Sequence, residues 1–394
     1  MITTIAWMIL GASNSSRTSK SFSSLKREVA SLFGEEITIN SPLCYYKKKT
    51  QREEVIDGKK VIKDVFIKKY IELVKSDIEI KINLDQRKKG NLWFPTFQSE
   101  FIGEYIFQIN NNSSQYYVYS TLESSDSIYR DIILKINDKV NENILPLVNK
   151  QEISVTPNDK NQIKLFISYK CTGMEELLYF ITTDENEICQ INDFNFKIIT
   201  DFKNFDFPNA MMSPINKIET DNGFELLWQL KNAATGKDIG IVIPNKLNPG
   251  EIVTRVTFFA PVSLLFFFIV IFIIAIILKV EFHPMHYFFL AATFFSFHLM
   301  YSYFSEHLNL YITFGISSIV SLILTVTYLR LFAPKKITFL YAPISQIIYL
   351  VIFSFSFFYK GISGLIVTIC SVITLFILMQ ITGKIKWDEV FKKN

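Results

Sequence analysis

The sequence predicts an α+β membrane protein, with a β-rich extracytoplasmic domain followed by a C-terminal transmembrane helical bundle of about five spans. Three observations carry that expectation. Residues 256–278, VTFFAPVSLLFFFIVIFIIAIIL, run 23 positions without a charge between Arg255 and Lys279. At about 1.5 Å rise per residue, such a helix crosses the roughly 30 Å hydrocarbon core of a bilayer. Four more apolar runs of spanning length follow it, whereas the chain before it alternates apolar and polar residues in short stretches.

Residues 1–12, MITTIAWMILGA, are apolar but too few to span. They lack the basic start and small-residue cleavage site of a secretory signal. They read as a short anchor or, preferably, as the end of a spanning helix. Residues 13–33 are polar, with a weakly helical SSLKREVASLF at their end.

From residue 37 to about 200 the pattern is that of strands. Ile78-Glu79-Ile80-Lys81-Ile82-Asn83-Leu84 alternates throughout, as a half-buried strand does. Further candidates are 101–109, 115–120, 132–136, 163–170 and 177–182, separated by turn-formers such as NNNSS, ESSDS and TPNDKN. Many short strands at this spacing predict a sandwich-like stack of sheets. The run FPNAMMSP then reads as a loop, and 223–229, GFELLWQ, as a strand returning towards the bilayer. The expected domains are therefore a short hydrophobic segment at 1–12, a β-rich domain at 13–255 and a transmembrane bundle at 256–394.

After residue 278 the expected spans are 286–304, 308–332, 337–358 and 362–381, with short connections that make neighbours antiparallel. One set of their ends carries Lys279, Arg330, Lys335, Lys336, Lys384, Lys386, Lys392 and Lys393; the other carries only Lys360. The positive-inside rule then makes the tail KIKWDEVFKKN cytoplasmic, and an odd number of spans puts the β domain on the outer side.

Residues 256–394 hold nine of the 41 Lys and Arg but four of the 37 Asp and Glu, leaving 32 basic and 33 acidic groups before them. The positive balance thus belongs to membrane flanks, and the β domain has no excess charge for binding nucleic acid. Of Cys44, Cys171, Cys189 and Cys370, none has metal-ligand spacing. Cys171 and Cys189 would pair only in an oxidising compartment; all four are better read as small apolar fillers.

All four histidines lie in the membrane half: His283, His286, His298 and His307. His298 is expected past the middle of the second span, where an ionisable side chain is a functional candidate. His298, Ser302 and Ser305 fall on one helical face, which ends at Ser305-Glu306-His307. A Glu–His pair at a membrane mouth suits proton relay or ligand binding; a helix cap with a snorkelling charge is the simpler reading. His283-Pro284-Met285-His286 lacks a full ligand set for a metal, and Pro284 fits the first turn of a helix. Tyr287, Tyr301, Tyr303, Tyr359 and Trp387 fit interfacial belts. No phosphate loop, dinucleotide fingerprint, HExxH or GxSxG occurs, and the β domain has no histidine for a triad or a His-ligated metal. No cofactor is expected.

The run HPMHYFFLAATFFSFHLMYSYFSEHLNLYITF, residues 283–314, resembles the CreD family of bacterial inner-membrane proteins. The family pattern is His-Pro-x-x-Tyr, an apolar helix, then Ser-Glu-His before the next span. His283, Pro284, Tyr287, Ser305, Glu306 and His307 fall in register with it. Tyr328-Leu329, Trp387 and, more loosely, Gly223-Phe224, Trp228 and the region of Arg255 look similar too. Two departures stand out: the family begins with a full spanning helix where this chain has only residues 1–12, and an aromatic usually fills the position of His298. The resemblance implies a non-enzymatic, multi-pass inner-membrane protein with a large periplasmic domain, linked to envelope integrity, stress and β-lactam response. Its expected partners are the lipid bilayer and a periplasmic protein or envelope ligand. The alternatives are a small-solute or lipid transporter using the polar stripe of the second span and, well behind, an intramembrane hydrolase using Glu306 and His307. A uniformly apolar bundle interior would weigh against transport.

Overall fold

The computed structural model describes residues 2–56, 59–111, 113, 115–122, 127–181, 189–359, 361 and 363–383. Side chains of residues 52–63 lie outside the description, as do Lys360 and the tail from 384 to 394, with Lys384, Lys386, Trp387, Lys392 and Lys393.

The chain divides into two units. One comprises Met1–Ser24, Gly90–Leu92 and Leu247–Asn394; the other Leu25–Lys89 and Trp93–Lys246. A β-rich region is thus followed by a helical one.

The elements begin with α1 (Ile2–Phe33) and continue with β1 (Ile37–Asn40), β2 (Leu43–Ile56), β3 (Lys59–Tyr70), β4 (Leu73–Leu84), β5 (Arg87–Lys89), β6 (Leu92–Phe94) and β7 (Thr96–Gln108). Next come β8 (Tyr116–Tyr119), β9 (Arg130–Ile136), β10 (Lys139–Val140), α2 (Leu145–Val148), β11 (Ile153–Val155), β12 (Gln162–Met174) and β13 (Glu176–Phe180). The last strands are β14 (Cys189–Thr200), β15 (Asn216–Glu219), β16 (Phe224–Thr235) and β17 (Ile239–Val242).

Eight strands form one sheet in the order β10-β9-β12-β7-β4-β14-β16-β15, antiparallel throughout except where β14 runs parallel to β4. A four-stranded sheet, β11-β8-β2-β3, and a three-stranded one, β1-β13-β17, share an apolar core with it. The period-2 pattern builds this core directly. Ile78, Ile80 and Ile82 of β4 are buried, as are Phe194, Phe196 and Ile198 of β14, while Glu79, Lys81 and Lys197 point the other way and pair on the polar face. Trp228 of β16 is fully buried against Phe196 and donates its indole N–H to the Met212 carbonyl at 3.0 Å. Gly223 precedes that strand because a Cβ there would collide with the Thr200 carbonyl. All four cysteines are free thiols, so Cys171 and Cys189 do not bridge; Cys171 is buried on β12 beside the Ser99 hydroxyl at 3.0 Å.

The helical unit contains α3 (Pro249–Ile277), α4 (Pro284–Phe304), α5 (Leu310–Leu329), α6 (Ile337–Phe358) and α7 (Ser363–Thr382). Among the described residues, three helices are long and apolar enough to cross a membrane: α3, α5 and α6. Of the other two expected spans, α4 has 21 residues and carries His286, Thr293, Ser296, His298 and Ser302, and α7 contains, among the described residues, the apolar stretch Gly364–Gln380.

α6 is not a plain α-helix. It winds as a π-helix over Ile337–Tyr341 and again over Ile347–Ile352, with an α turn at Ala342–Gln346 between them. Pro343 in that turn supplies no N–H, and wide turns of this kind accommodate the loss.

The apolar run expected as a short segment at 1–12 opens the 32-residue helix α1. Trp7, Leu10, Gly11 and Asn14 recur at helical spacing and are all buried, so the opening turns of the helix are packed along one face.

Candidate functional site

Within the helical unit, α1 lies along α3 and α4. Trp7 meets His298 edge-on with ring centroids 5.7 Å apart, Asn14 donates to the Ser302 hydroxyl at 2.8 Å, and Arg17 reaches Glu306 at 2.8 Å. The numbers rise together, so α1 and α4 run parallel. Against α3 they run oppositely: the Gly11 position abuts Phe258, and Gly250 leaves room for the Thr18 side chain.

This geometry builds a polar cluster around the Ser-Glu-His run. Asn14 is buried, accepts from Arg17 Nη2 at 2.7 Å, and reaches Thr257 Oγ1 at 3.4 Å. The Arg17 guanidinium lies 4.6 Å over the Tyr303 ring. Asn91 donates to the Glu306 carbonyl and, at 3.5 Å, to that of Ser305, satisfying backbone acceptors at the end of α4. Ser305 is buried, and its hydroxyl turns back to the Ser302 carbonyl at 3.1 Å.

The predicted residues separate on inspection. Glu306 is engaged by Arg17 rather than by His307, which is exposed and, among the described residues, makes no side-chain hydrogen bond or ion pair. His298, Ser302 and Ser305 do share a buried face. His298 Nδ1 lies 3.0 Å from the Phe294 carbonyl, while its Nε2 is buried without a protein partner.

His283, Pro284, Tyr287 and His286 lie at the other end of α4. His283 takes the N-cap position without a side-chain capping bond, and Pro284 takes the first turn. His286 Nδ1 stands 3.0 Å from the Tyr328 hydroxyl, and its ring stacks on Phe332 at 3.7 Å. Tyr287 packs on Phe268 and Phe282. Among the described residues, no group of three or more His, Cys, Asp or Glu is placed to hold a metal ion.

Sequence reasoning missed Trp7, Asn14 and Arg17, whose helical spacing with Leu10 and Gly11 was the available signal. It also missed the buried stripe Thr313, Ser317, Ser321 and Thr325 on α5. That stripe is met by Gln346 of α6, whose amide donates to Ser321 at 2.8 Å, and by Thr293 of α4, 2.8 Å from Thr325. The bundle interior is therefore not uniformly apolar.

A second cluster belongs to the β unit. Glu152 binds Lys47 at 2.6 Å and Lys68 at 3.1 Å. Lys47 lies 4.4 Å over the Tyr117 ring and Lys68 4.4 Å over that of Tyr45. The Lys47 hydrogen bond, with those of Tyr45 and Lys68, pulls the Glu152 carboxyl down to about 2, while burial pushes the Tyr45 phenol up to about 12. Burial also raises the thiols of Cys44 and Cys171, to about 12 and about 11, leaving them protonated and unreactive.

No family model and no curated protein matches the chain. Among solved structures it is similar to native leukotriene A4 hydrolase from Saccharomyces cerevisiae, at 10% identity and a TM-score of 0.22, over 43% of this chain and 29% of that one. The chain spans less than a third of that protein's length, and a likeness this slight carries no argument about fold or activity.

Proposed function

We propose that the chain is a CreD-type protein of the bacterial inner membrane that supports envelope integrity under stress, including β-lactam stress, and is not an enzyme. In this reading all five helices from α3 to α7 cross the bilayer, the β-rich unit is periplasmic and the C-terminal tail is cytoplasmic. The β unit meets a periplasmic protein or envelope ligand, and the helices meet lipid. The motif at 283–314 suggests the family, and the segregation of basic residues suggests the orientation.

The single observation that carries the non-catalytic reading is the Arg17–Glu306 contact. Glu306 is the one acid in the Ser-Glu-His run, and Arg17 occupies it. A carboxylate whose oxygen is already held by a guanidinium faces that partner rather than a substrate. Its work is to fasten α1 to the end of α4.

Complementation of a strain lacking the protein tests the proposal, with growth under β-lactam and detergent stress as the readout. Wild type rescues; His307→Ala rescues as well; Glu306→Gln rescues to the extent that α1 stays docked. Normal insertion of His307→Ala with complete loss of rescue would instead assign chemistry or binding to the run.

The buried polar side chains favour one second reading, a small-solute or lipid transporter. Asn14 and Ser302, Thr293 and Thr325, and Gln346 and Ser321 form buried polar pairs among largely apolar neighbours, and His298 is buried as well. Uptake of a labelled solute panel into proteoliposomes discriminates the two: flux above that of empty vesicles supports transport.

A further inference from the structure

The interface between α4 and α5 contains an anomaly that neither function explains. Tyr301, Thr313 and Ser317 are fully buried, yet none of their hydroxyls has a hydrogen-bond partner in the protein. Buried polar groups are almost always satisfied, and a cluster of exceptions calls for a physical cause.

Self-satisfaction is the first alternative, since Ser and Thr on helices ordinarily donate to the carbonyl four residues back. Their neighbours do so. Thr257 donates to the Val253 carbonyl at 2.7 Å, Ser318 to that of Phe314 at 2.8 Å, and Thr327 to that of Ile323 at 2.7 Å. Thr313 and Ser317, on the same helix as Ser318 and Thr327, do not.

Thr313 and Ser317 lie one turn apart on α5, in the stretch of that helix that packs against Tyr301 of α4. Phe314, next to Thr313 and three residues from Ser317, touches both Phe297 and Tyr301, with ring centroids 5.5 and 5.6 Å away. The helices are antiparallel, because Thr293 meets Thr325 further along. One turn beyond Ser317, Ser321 is held by Gln346, whose own Oε1 is again buried without a partner.

We propose that the α4–α5 interface binds water at the level of Tyr301, Thr313 and Ser317, continuing towards Gln346. Three hydroxyls, each able to donate and accept, match the two to four partners that a buried water takes. The ligand is neutral: among the described residues no Asp, Glu, Lys or Arg lies within α4 or α5 to balance an ion.

Radiolytic hydroxyl-radical footprinting of the full chain in membranes, read by mass spectrometry, tests the inference, because internal water generates label at the side chain beside it. Tyr349 is the internal control. It has the same chemistry and slightly more exposure, 7% against 0% for Tyr301, but its hydroxyl is satisfied by Thr374 at 2.8 Å. Exposure alone predicts faster labelling of Tyr349. Bound water predicts the reverse, with Tyr301 modified several-fold faster, falling to the Tyr349 rate in a Thr313→Val/Ser317→Ala variant. Labelling of wild-type Tyr301 no faster than Tyr349 overturns the proposal, and that comparison needs no variant to fold.

Discussion

Arg17 Nη1 stands 2.8 Å from Glu306 Oε1, joining the first helix of the chain to the end of α4. The contact is half open to solvent, with side-chain exposures of 33% and 48%, so its worth lies in placement more than in energy.

Glu306→Gln is accordingly expected to cost at most about 1 kcal/mol in thermal unfolding of the detergent-solubilised chain. Arg17→Ala is expected to cost more, about 1–2 kcal/mol, because it also removes the bond to Asn14 and the stacking on Tyr303. A double-mutant cycle checks both figures. A coupling well above 1 kcal/mol would mean that the pair is far less solvated than its exposure indicates.

The docking of α1 on α3 has its own test. A Cβ at Gly250 would collide with Thr18, so Gly250→Ala is expected to destabilise by about 1–3 kcal/mol through overpacking. Thr18→Ala in the same chain should recover part of that loss. A silent Gly250→Ala would show that the two helices are not in contact.

In the β unit, Trp228→Ala is expected to cost about 3–5 kcal/mol through the cavity it leaves. Trp228→Phe should cost less, about 1–3 kcal/mol, chiefly by leaving the Met212 carbonyl unpaired. Denaturant unfolding of the full chain, followed by β-sheet circular dichroism, measures both. Equal costs would mean that the indole N–H contributes nothing.

Glu152 gives a pH dependence of definite sign. Its carboxyl is lowered from 4.5 to about 2 in the folded state, so its stabilising contribution is complete above pH 4.5 and is lost as pH falls through about 2. The gap between wild type and Glu152→Gln should be about 1–2 kcal/mol at neutral pH, after allowance for solvent screening. It should close between those two values. Hydrogen exchange in β2 and β11 follows it, and a gap that widens on acidification would contradict the assignment.

Much of this fold was legible because burial imposes simple periods. The Ile78–Ile80–Ile82 alternation read as a strand and is one, and the charge-free run after Arg255 read as a spanning-length helix. What escaped was polar and long-range. Asn14 and Arg17 look like solvated residues until α3 and α4 surround them, since nothing near them in sequence announces Ser302 or Glu306 as partners. Glu306 and His307, adjacent in sequence, suggested a working pair. The end of α4 instead turns Glu306 to Arg17 and leaves His307 exposed. The π turns of α6 left no trace beyond Pro343, because local winding responds to packing that hydropathy does not record.

Charge reversal at the Arg17–Glu306 pair separates a fastening role for Glu306 from a chemical one. Arg17→Glu and Glu306→Arg each place like charges together and should abolish rescue of a deletion strain under envelope stress. The double variant restores an attractive pair in the opposite sense, and a fastening role predicts that it rescues. A double variant that inserts normally, resists unfolding like wild type and still fails to rescue would contradict it, and would return Glu306 to the list of reacting groups.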